Sequence, residues 1–292
     1  MRGEYIYKPN GEVPQGETLP EGVCRVALGV EYSGAKLHGF QKQKSAADTV
    51  QAWLEKALSA IAAEPVTLVC AGRTDAGVHA TGQVIHFDTR ARRPDRAWVQ
   101  GVNTKLPDEV RVRWAKEVPA QFHARFSARA RSYRYLIHSA PTRSAHCAAE
   151  VTWTQYPLDL NAMRAGAAHL LGRHDFTSFR ASQCQARSPV RELTRLDIAQ
   201  VGQLVVLEVS ANAFLHHMVR NITGALMAVG RGERPSEWIG EVLAARDRTV
   251  AGVTAPPYGL YLVDVEYPPG FGLPVREPGP LLVPLPLGGL PT

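Results

Sequence analysis

The 292-residue sequence contains no run of about 18 consecutive apolar residues, so no membrane-spanning helix is expected. Its start, Met1-Arg2-Gly3-Glu4-Tyr5, leads into polar sequence without an apolar signal core, and a cytoplasmic location is expected. Cysteine is scarce. Cys24, Cys70, Cys147 and Cys184 are widely spaced and form no CxxC pair, which excludes a zinc ribbon and argues against a disulfide framework. No H-E-x-x-H spacing occurs. Regular βαβ crossovers are missing, so a Rossmann fold is not expected. Lysine is also scarce, with seven residues against 26 arginines.

What is present fits a folded chain. Hydrophobic residues make up 45% and charged residues 21%, which argues against wholesale disorder. The formal net charge is +6, carried mainly by arginine. Guanidinium forks match phosphate geometry and stack on base planes, so a polyanion such as nucleic acid is one partner this surface suits. A GC-rich codon bias is the other reading, since alanine, glycine and proline are abundant as well.

Residues 1–22 lack periodicity and read as an N-terminal leader. Residues 268–292 hold eight of the 21 prolines and cannot form a helix or a central strand. That tail is either an extended arm on the core or disordered. Between them, alternating runs predict strands near 24–30, 66–71, 83–88, 110–114, 128–138, 190–199, 203–210 and 260–267. Thr49 is positioned to cap a helix with the stripe Val50, Trp53, Leu54, Leu58 and Ile61, and Asp159 to open a helix through Met163, Ala167 and Leu170. Further helices are predicted over 215–229 and 236–245. The pattern predicts an α+β protein of two similar halves, with helices on one face of a sheet. An N-terminal half over 23–125 would be followed by a C-terminal half over 126–267.

The most distinctive segment is Cys70-Ala71-Gly72-Arg73-Thr74-Asp75-Ala76-Gly77-Val78-His79. Gly72 and Gly77 match the first half of a phosphate loop, but Val78 and His79 stand where lysine and serine or threonine belong. Three readings are open. The segment is a tight hairpin loop with a surface ion pair, or Asp75 is a nucleophile or base that Arg73 keeps ionised, or the loop helps hold a metal. For metal, His79, His86, Asp88 and the His216-His217 pair are the candidates, although adjacent helical histidines diverge by about 100°.

A second segment, from Phe122 to Tyr135, carries four arginines, four aromatics and no acid. Strand alternation places Arg129, Arg131, Tyr133 and Tyr135 on one face, able to hold phosphates and stack a base, or to pack as an ordinary half-buried strand. A third segment runs from Ala211 to Gly224. Asn212 sits where a cap could fall, and Leu215, Met218, Val219 and Ile222 form a buried stripe. Arg220 lies beside that stripe, pointing inward to a carboxylate or outward to solvent.

Taken in order, several motifs resemble the bacterial tRNA pseudouridine synthase A family. They are Glu31-Tyr32-Ser33-Gly34, Gly39-Phe40-Gln41, Ala71-Gly72-Arg73-Thr74-Asp75-Ala76-Gly77-Val78-His79, Phe122-His123-Ala124-Arg125-Phe126-Ser127-Ala128 and Tyr133-Arg134-Tyr135. His174-Asp175-Phe176-Thr177-Ser178-Phe179-Arg180, Phe214-Leu215-His216-His217-Met218-Val219-Arg220-Asn221 and Gly259-Leu260-Tyr261-Leu262-Val263 follow. Phe40 departs from the family's usual tryptophan, and the leader and tail lie outside the resemblance.

The resemblance implies a homodimer of ferredoxin-like halves that share one continuous, mostly antiparallel sheet, with a central basic cleft. It implies isomerisation of uridines 38, 39 and 40 in the anticodon arm of tRNA, with no cofactor and no metal. Asp75 matches the catalytic nucleophile, Arg73 the arginine that accompanies base flipping, and Tyr133 the tyrosine that contacts the target base. Arg220 matches the basic partner of the aspartate and Leu260 an apolar wall of the pocket, while Arg129 and Arg131 are expected to bind RNA. A pseudouridine synthase for other RNA sites and a non-catalytic tRNA-binding protein are the alternatives.

Overall fold

A computed structural model describes residues 18–43, 48–275 and 277–283. Most of the leader and the end of the tail lie outside the described residues. Internal packing divides the chain into two units, Met1–Arg129 with Leu262–Gly279, and Ala130–Tyr261 with Pro280–Thr292. In chain order the first unit supplies β1 (Cys24–Tyr32), α1 (Val50–Ala62), β2 (Leu68–Cys70), β3 (His79–Thr89) and β4 (Val110–Val118). The second supplies β5 (Ala130–Ser139), β6 (Thr152–Thr154), α2 (Leu160–Ala168), β7 (Gly172–Asp175), β8 (Val190–Val201), β9 (Leu204–Ala211), α3 (Met218–Gly230) and α4 (Trp238–Ala245). The last strand, β10 (Leu260–Glu266), passes from the second unit to the first after Tyr261. The architecture is mixed α+β with mostly antiparallel strands.

In the first unit the strand order is β4-β1-β3-β10, with β2 also on β3. β1 is antiparallel to both β3 and β4. Its alternation buries Val26, Leu28 and Val30. Thr49 caps α1 by accepting from Ala52 N–H. The helix buries Val50, Leu54, Ala57 and Leu58, whereas Trp53 and Ile61 of the expected stripe stay half-exposed. Glu55 is buried instead, because its carboxylate is fully used: it accepts from Lys42 Nζ at 2.8 Å, Gln51 Nε2 at 2.8 Å and Leu68 N–H at 3.3 Å.

In the second unit the order is β5-β9-β8-β7, all antiparallel, with β6 parallel to β5. β6 and β7 are not predicted from sequence, because Thr152-Trp153-Thr154 and Gly172-Arg173-His174-Asp175 carry no alternating apolar run. Asp159 caps α2 by accepting from Asn161 and Ala162 N–H. Two expectations for the third segment fail. Asn212 caps nothing: its Oδ1 accepts from Glu192 N–H and its own N–H donates to Glu192 O, so it extends the pairing of β9 with β8. The helix begins at Met218 behind His217, which is left-handed at φ 60°. The buried stripe itself is present, with Leu215, Met218, Val219 and Ile222 all in the core.

β5 is anchored by a buried ion pair. Arg134 lies opposite Glu208 of β9, and Nε donates to Oε2 at 2.8 Å with the two side chains 0% and 5% exposed. Arg195 of β8 reaches the same carboxylate, and Arg134 Nη1 donates to Val283 O at 2.7 Å. The tail therefore packs where it is described. Val283 is buried in the second unit, and in the first Phe271 sits edge-on to Phe122 at 5.1 Å.

Candidate functional site

Asp75 lies half-buried in the turn between β2 and β3, with Arg73 exposed two residues earlier. The turn's backbone is bonded along most of its length. Gln83, fully buried on β3, donates from Nε2 to Gly72 O at 2.6 Å. The Thr74 hydroxyl meets Tyr32 Oη of β1 at 2.8 Å. Phe40 N–H donates to Thr74 O at 3.0 Å, and Val78 N–H to Asp75 O at 3.1 Å. The peptide groups on either side of the Asp75 Cα are thus tied down, and the fold fixes where its carboxylate begins.

Two glycines are required by this arrangement. Gly77 closes the turn at φ +79°, and Gly39 adopts φ +83° with a Cβ position only 2.9 Å from Thr74 O. Gly39 therefore lets the chain before Phe40 lie directly against the Asp75 turn.

The histidines proposed as metal ligands near this loop have structural duties. His79 Nδ1 accepts from Gly34 N–H at 3.1 Å, and His86 Nδ1 from Ala124 N–H at 3.1 Å. Burial, aided by His123 and Arg25, pushes the His86 pKa down to about 3, so its ring is neutral at physiological pH. Asp88 receives Arg25 on both oxygens, at 2.7 and 2.9 Å. The His216-His217 pair departs from the expected divergence. Neither residue lies within the helix, and their ring centroids stand 4.0 Å apart at 39°.

The basic strand sorts its residues by depth. Arg129, the last residue of the first unit's opening segment, is half-buried, and its N–H donates to Glu266 O at 2.8 Å. Arg131 is half-buried and donates from Nη1 to Asn212 O at 3.2 Å. Tyr133 is buried, its ring edge-on to Phe214 at 5.0 Å. Tyr135 belongs wholly to the core. Its hydroxyl bonds Thr152 Oγ1 and Pro256 O, both at 2.6 Å, and burial pushes its phenol well above the usual range. The expected face of two arginines and two tyrosines is therefore a gradient from rim to interior.

Arg220 is half-buried on α3. Nε donates to Ala255 O at 2.9 Å, and Ala255 N–H returns a bond to Arg220 O at 3.1 Å. Leu260 is buried at the start of β10, next to Gly259, whose Cβ position would press on Leu136 O at 2.4 Å. Within the first unit one turn holds both Arg73 and Asp75. Within the second, Arg220 is close enough to Tyr135 for its charge to act on that phenol. Tyr32, Gln83 and Phe214 are the supporting residues that sequence reasoning assigns no role. Tyr32 and Phe214 fall inside the motifs that carry the family resemblance, which is the one signal pointing to them.

Comparison with known proteins gives a consistent answer. A family model described as tRNA pseudouridine synthase matches residues 29–127 and 167–268, more than half of the chain. The chain is 58% identical over 275 residues to tRNA pseudouridine synthase A of Pseudomonas aeruginosa, covering 94% of this chain and 95% of that protein. It is 54% identical over 261 residues to the protein of the same description from Klebsiella pneumoniae, covering 89% and 96%. The Pseudoalteromonas atlantica protein so described is 55% identical over 259 residues, covering 89% and 98%. Among the described residues no helix is long and apolar enough to cross a membrane. With one aspartate fixed on a rigid turn and its sequence shared along nearly the whole length of these relatives, the chain belongs to the tRNA pseudouridine synthase family of isomerases.

Proposed function

We propose that the protein converts uridine to pseudouridine at positions 38, 39 and 40 of the tRNA anticodon arm, as a homodimer, with Asp75 as the nucleophile. The observation that carries the reading is the Asp75 turn, whose backbone is bonded on both sides of a half-exposed carboxylate. A carboxylate held this way attacks without first being ordered, so little entropy is lost on the way to the transition state. The tRNA substrate follows from the relatives described as tRNA pseudouridine synthase A.

The reaction balances as an isomerisation. The bond from uracil N1 to the sugar C1′ breaks, the base turns, and a bond from C5 to C1′ forms. C5 loses a proton and N1 gains one, with no change in oxidation state. Asp75 holds the intermediate covalently, at the sugar or at the uracil ring. The target base must leave its stack to be reached, and Arg73, exposed beside Asp75, accompanies that flipping. Tyr133 contacts the base and accepts the C5 proton, directly or through water. Arg220 supplies the cation for the aspartate, Leu260 an apolar surface for the detached base, and Arg129 and Arg131 phosphate contacts.

Incubating the purified protein with unmodified tRNA and mapping pseudouridine by position tests this. Product at 38, 39 and 40 is expected. Product confined to other positions would support the alternative of a synthase with other RNA targets. Binding without any product would support a non-catalytic tRNA-binding protein.

A further inference from the structure

β3 has two ends, and the Asp75 turn occupies only one. At the other, residues 90–96 hold four arginines and one aspartate. The strand's 11 residues, at roughly 3.4 Å each, separate the two ends by about 34 Å. Arg90, Arg92, Arg93 and Arg96 are all exposed.

Two of these cations are positioned by neutral acceptors. Arg93 Nε donates to Ile61 O at 3.2 Å, and Arg96 Nε to Gln100 Oε1 at 2.7 Å. Both acceptors are uncharged, so these contacts orient the guanidinium groups without supplying a counter-charge. Arg92 has an acid partner, Glu117, but the contact is 3.4 Å long and the side chains are 61% and 64% exposed. Such a pair is worth little and is readily exchanged for a phosphate. Glu64 sits below the loop with its carboxylate turned to the Thr89 hydroxyl and to Arg90 N–H. Behind the loop is a cavity of about 270 Å³, lined by buried Cys24, Val26 and Trp98 and by Arg92, Arg93 and Glu117. It leaves Arg92 and Arg93 unpacked on one side.

We propose that this arginine loop is a second RNA contact, which takes backbone phosphates of the substrate about 34 Å from the reacting nucleotide. It deepens the reading above by giving the enzyme a grip on the body of the substrate RNA beyond the arm that reacts. Guanidinium groups held by neutral acceptors are preorganised for phosphate oxygens. An isolated anticodon stem of five base pairs would span about 17 Å even at the roughly 3.4 Å rise of B-form DNA and is shorter as A-form RNA, so it does not reach the loop.

The test is the double variant Arg92→Ala/Arg93→Ala beside Arg92→Lys/Arg93→Lys. Binding of full-length tRNA and of the isolated stem-loop is measured by filter retention at several salt concentrations. With full-length tRNA the alanine variant is expected to bind more weakly, with a log–log salt slope shallower by roughly 1.4–1.8 for two lost contacts. The lysine variant is expected to keep most of the slope. Stem-loop affinity and the saturating single-turnover rate are expected to stay within twofold of the parent. An unchanged slope on full-length tRNA, or an equal loss on both RNAs, overturns the proposal. A parent enzyme that makes no pseudouridine overturns the functional reading instead, and leaves the binding comparison valid.

Discussion

Replacing Glu208 by glutamine removes the charge opposite Arg134 but leaves an acceptor in place. Arg134 is fully buried and also donates to the neutral Val283 O. The change therefore removes the negative charge that lies against this buried cation inside the second unit. Losing one partner of a buried pair costs about 3–5 kcal/mol, and the retained acceptor places this variant near about 3. At about 2–4 °C per kcal/mol for a unit of this size, the melting temperature should fall by about 6–12 °C. Arg195→Ala is the control. That side chain is 32% exposed, so its loss should cost about 1 kcal/mol or less. The double change Arg134→Met/Glu208→Leu should recover most of the stability, since the pair is then replaced by apolar volume. Thermal denaturation followed by circular dichroism at neutral pH measures all three. A Glu208→Gln protein no less stable than Arg195→Ala would refute the claim that Arg134 is a desolvated charge that needs its partner.

Asp75→Asn and Asp75→Ala should abolish pseudouridine formation and leave tRNA binding within a few-fold, because phosphate contacts carry most of the affinity; substantial tritium release from 5-labelled uridine by either variant would remove Asp75 from the nucleophile role. Tyr133→Phe should depress single-turnover rate far more than affinity, since the ring against Phe214 remains and only the hydroxyl is lost. His86 sets an acid limit: its pKa lies near 3 when folded and near 6.5 when unfolded. The unfolded chain therefore takes up the proton first, and stability from this ring is intact above about pH 6.5 and declines by up to about 1.4 kcal/mol per unit as the pH falls toward 3. His86→Gln should flatten that limb in denaturant titrations run from pH 7 to 4. EDTA should leave turnover unchanged, because the isomerisation needs no Lewis acid; loss of activity restored by a divalent ion would point to the adjacent rings of His216 and His217.

The helix starts at Thr49 and Asp159 are legible in the sequence because a cap is a local device: the side chain bonds N–H groups two or three residues on. The start of α3 is not. His217 holds a left-handed conformation with no side-chain cap, so nothing in its neighbours announces it. Asn212 has the right chemistry for a cap but spends it on Glu192, 20 residues away on the neighbouring strand β8. Alternation puts Arg134 on the face opposite Tyr133, yet sequence cannot supply Glu208, which lies 74 residues further on. An arginine that reads as part of a basic surface is for that reason a core residue.

The same distinction separates what acts from what supports it. Arg73 and Asp75 stand in one short segment, so their chemistry is visible before any fold is known. The hydrogen bonds that hold that segment come from far away: Tyr32 reaches Thr74 over 42 residues, and Gln83 returns to Gly72 from the next strand. Gly39 has no chemistry at all, and only the 2.9 Å approach to Thr74 O explains why a side chain is excluded there. The motifs of the resemblance already contain Tyr32 and Gly39, but as letters without a reason. Tyr32 acts on the Asp75 turn through the Thr74 hydroxyl and Gly39 through the Thr74 carbonyl, so the turn tolerates change at neither. Replacing Tyr32 by phenylalanine loses the hydroxyl that meets Thr74 Oγ1 and accepts from Gln83 Nε2 but keeps the ring, whereas any side chain at Gly39 meets both the left-handed φ and the Thr74 carbonyl, and the second substitution should displace Asp75 further than the first.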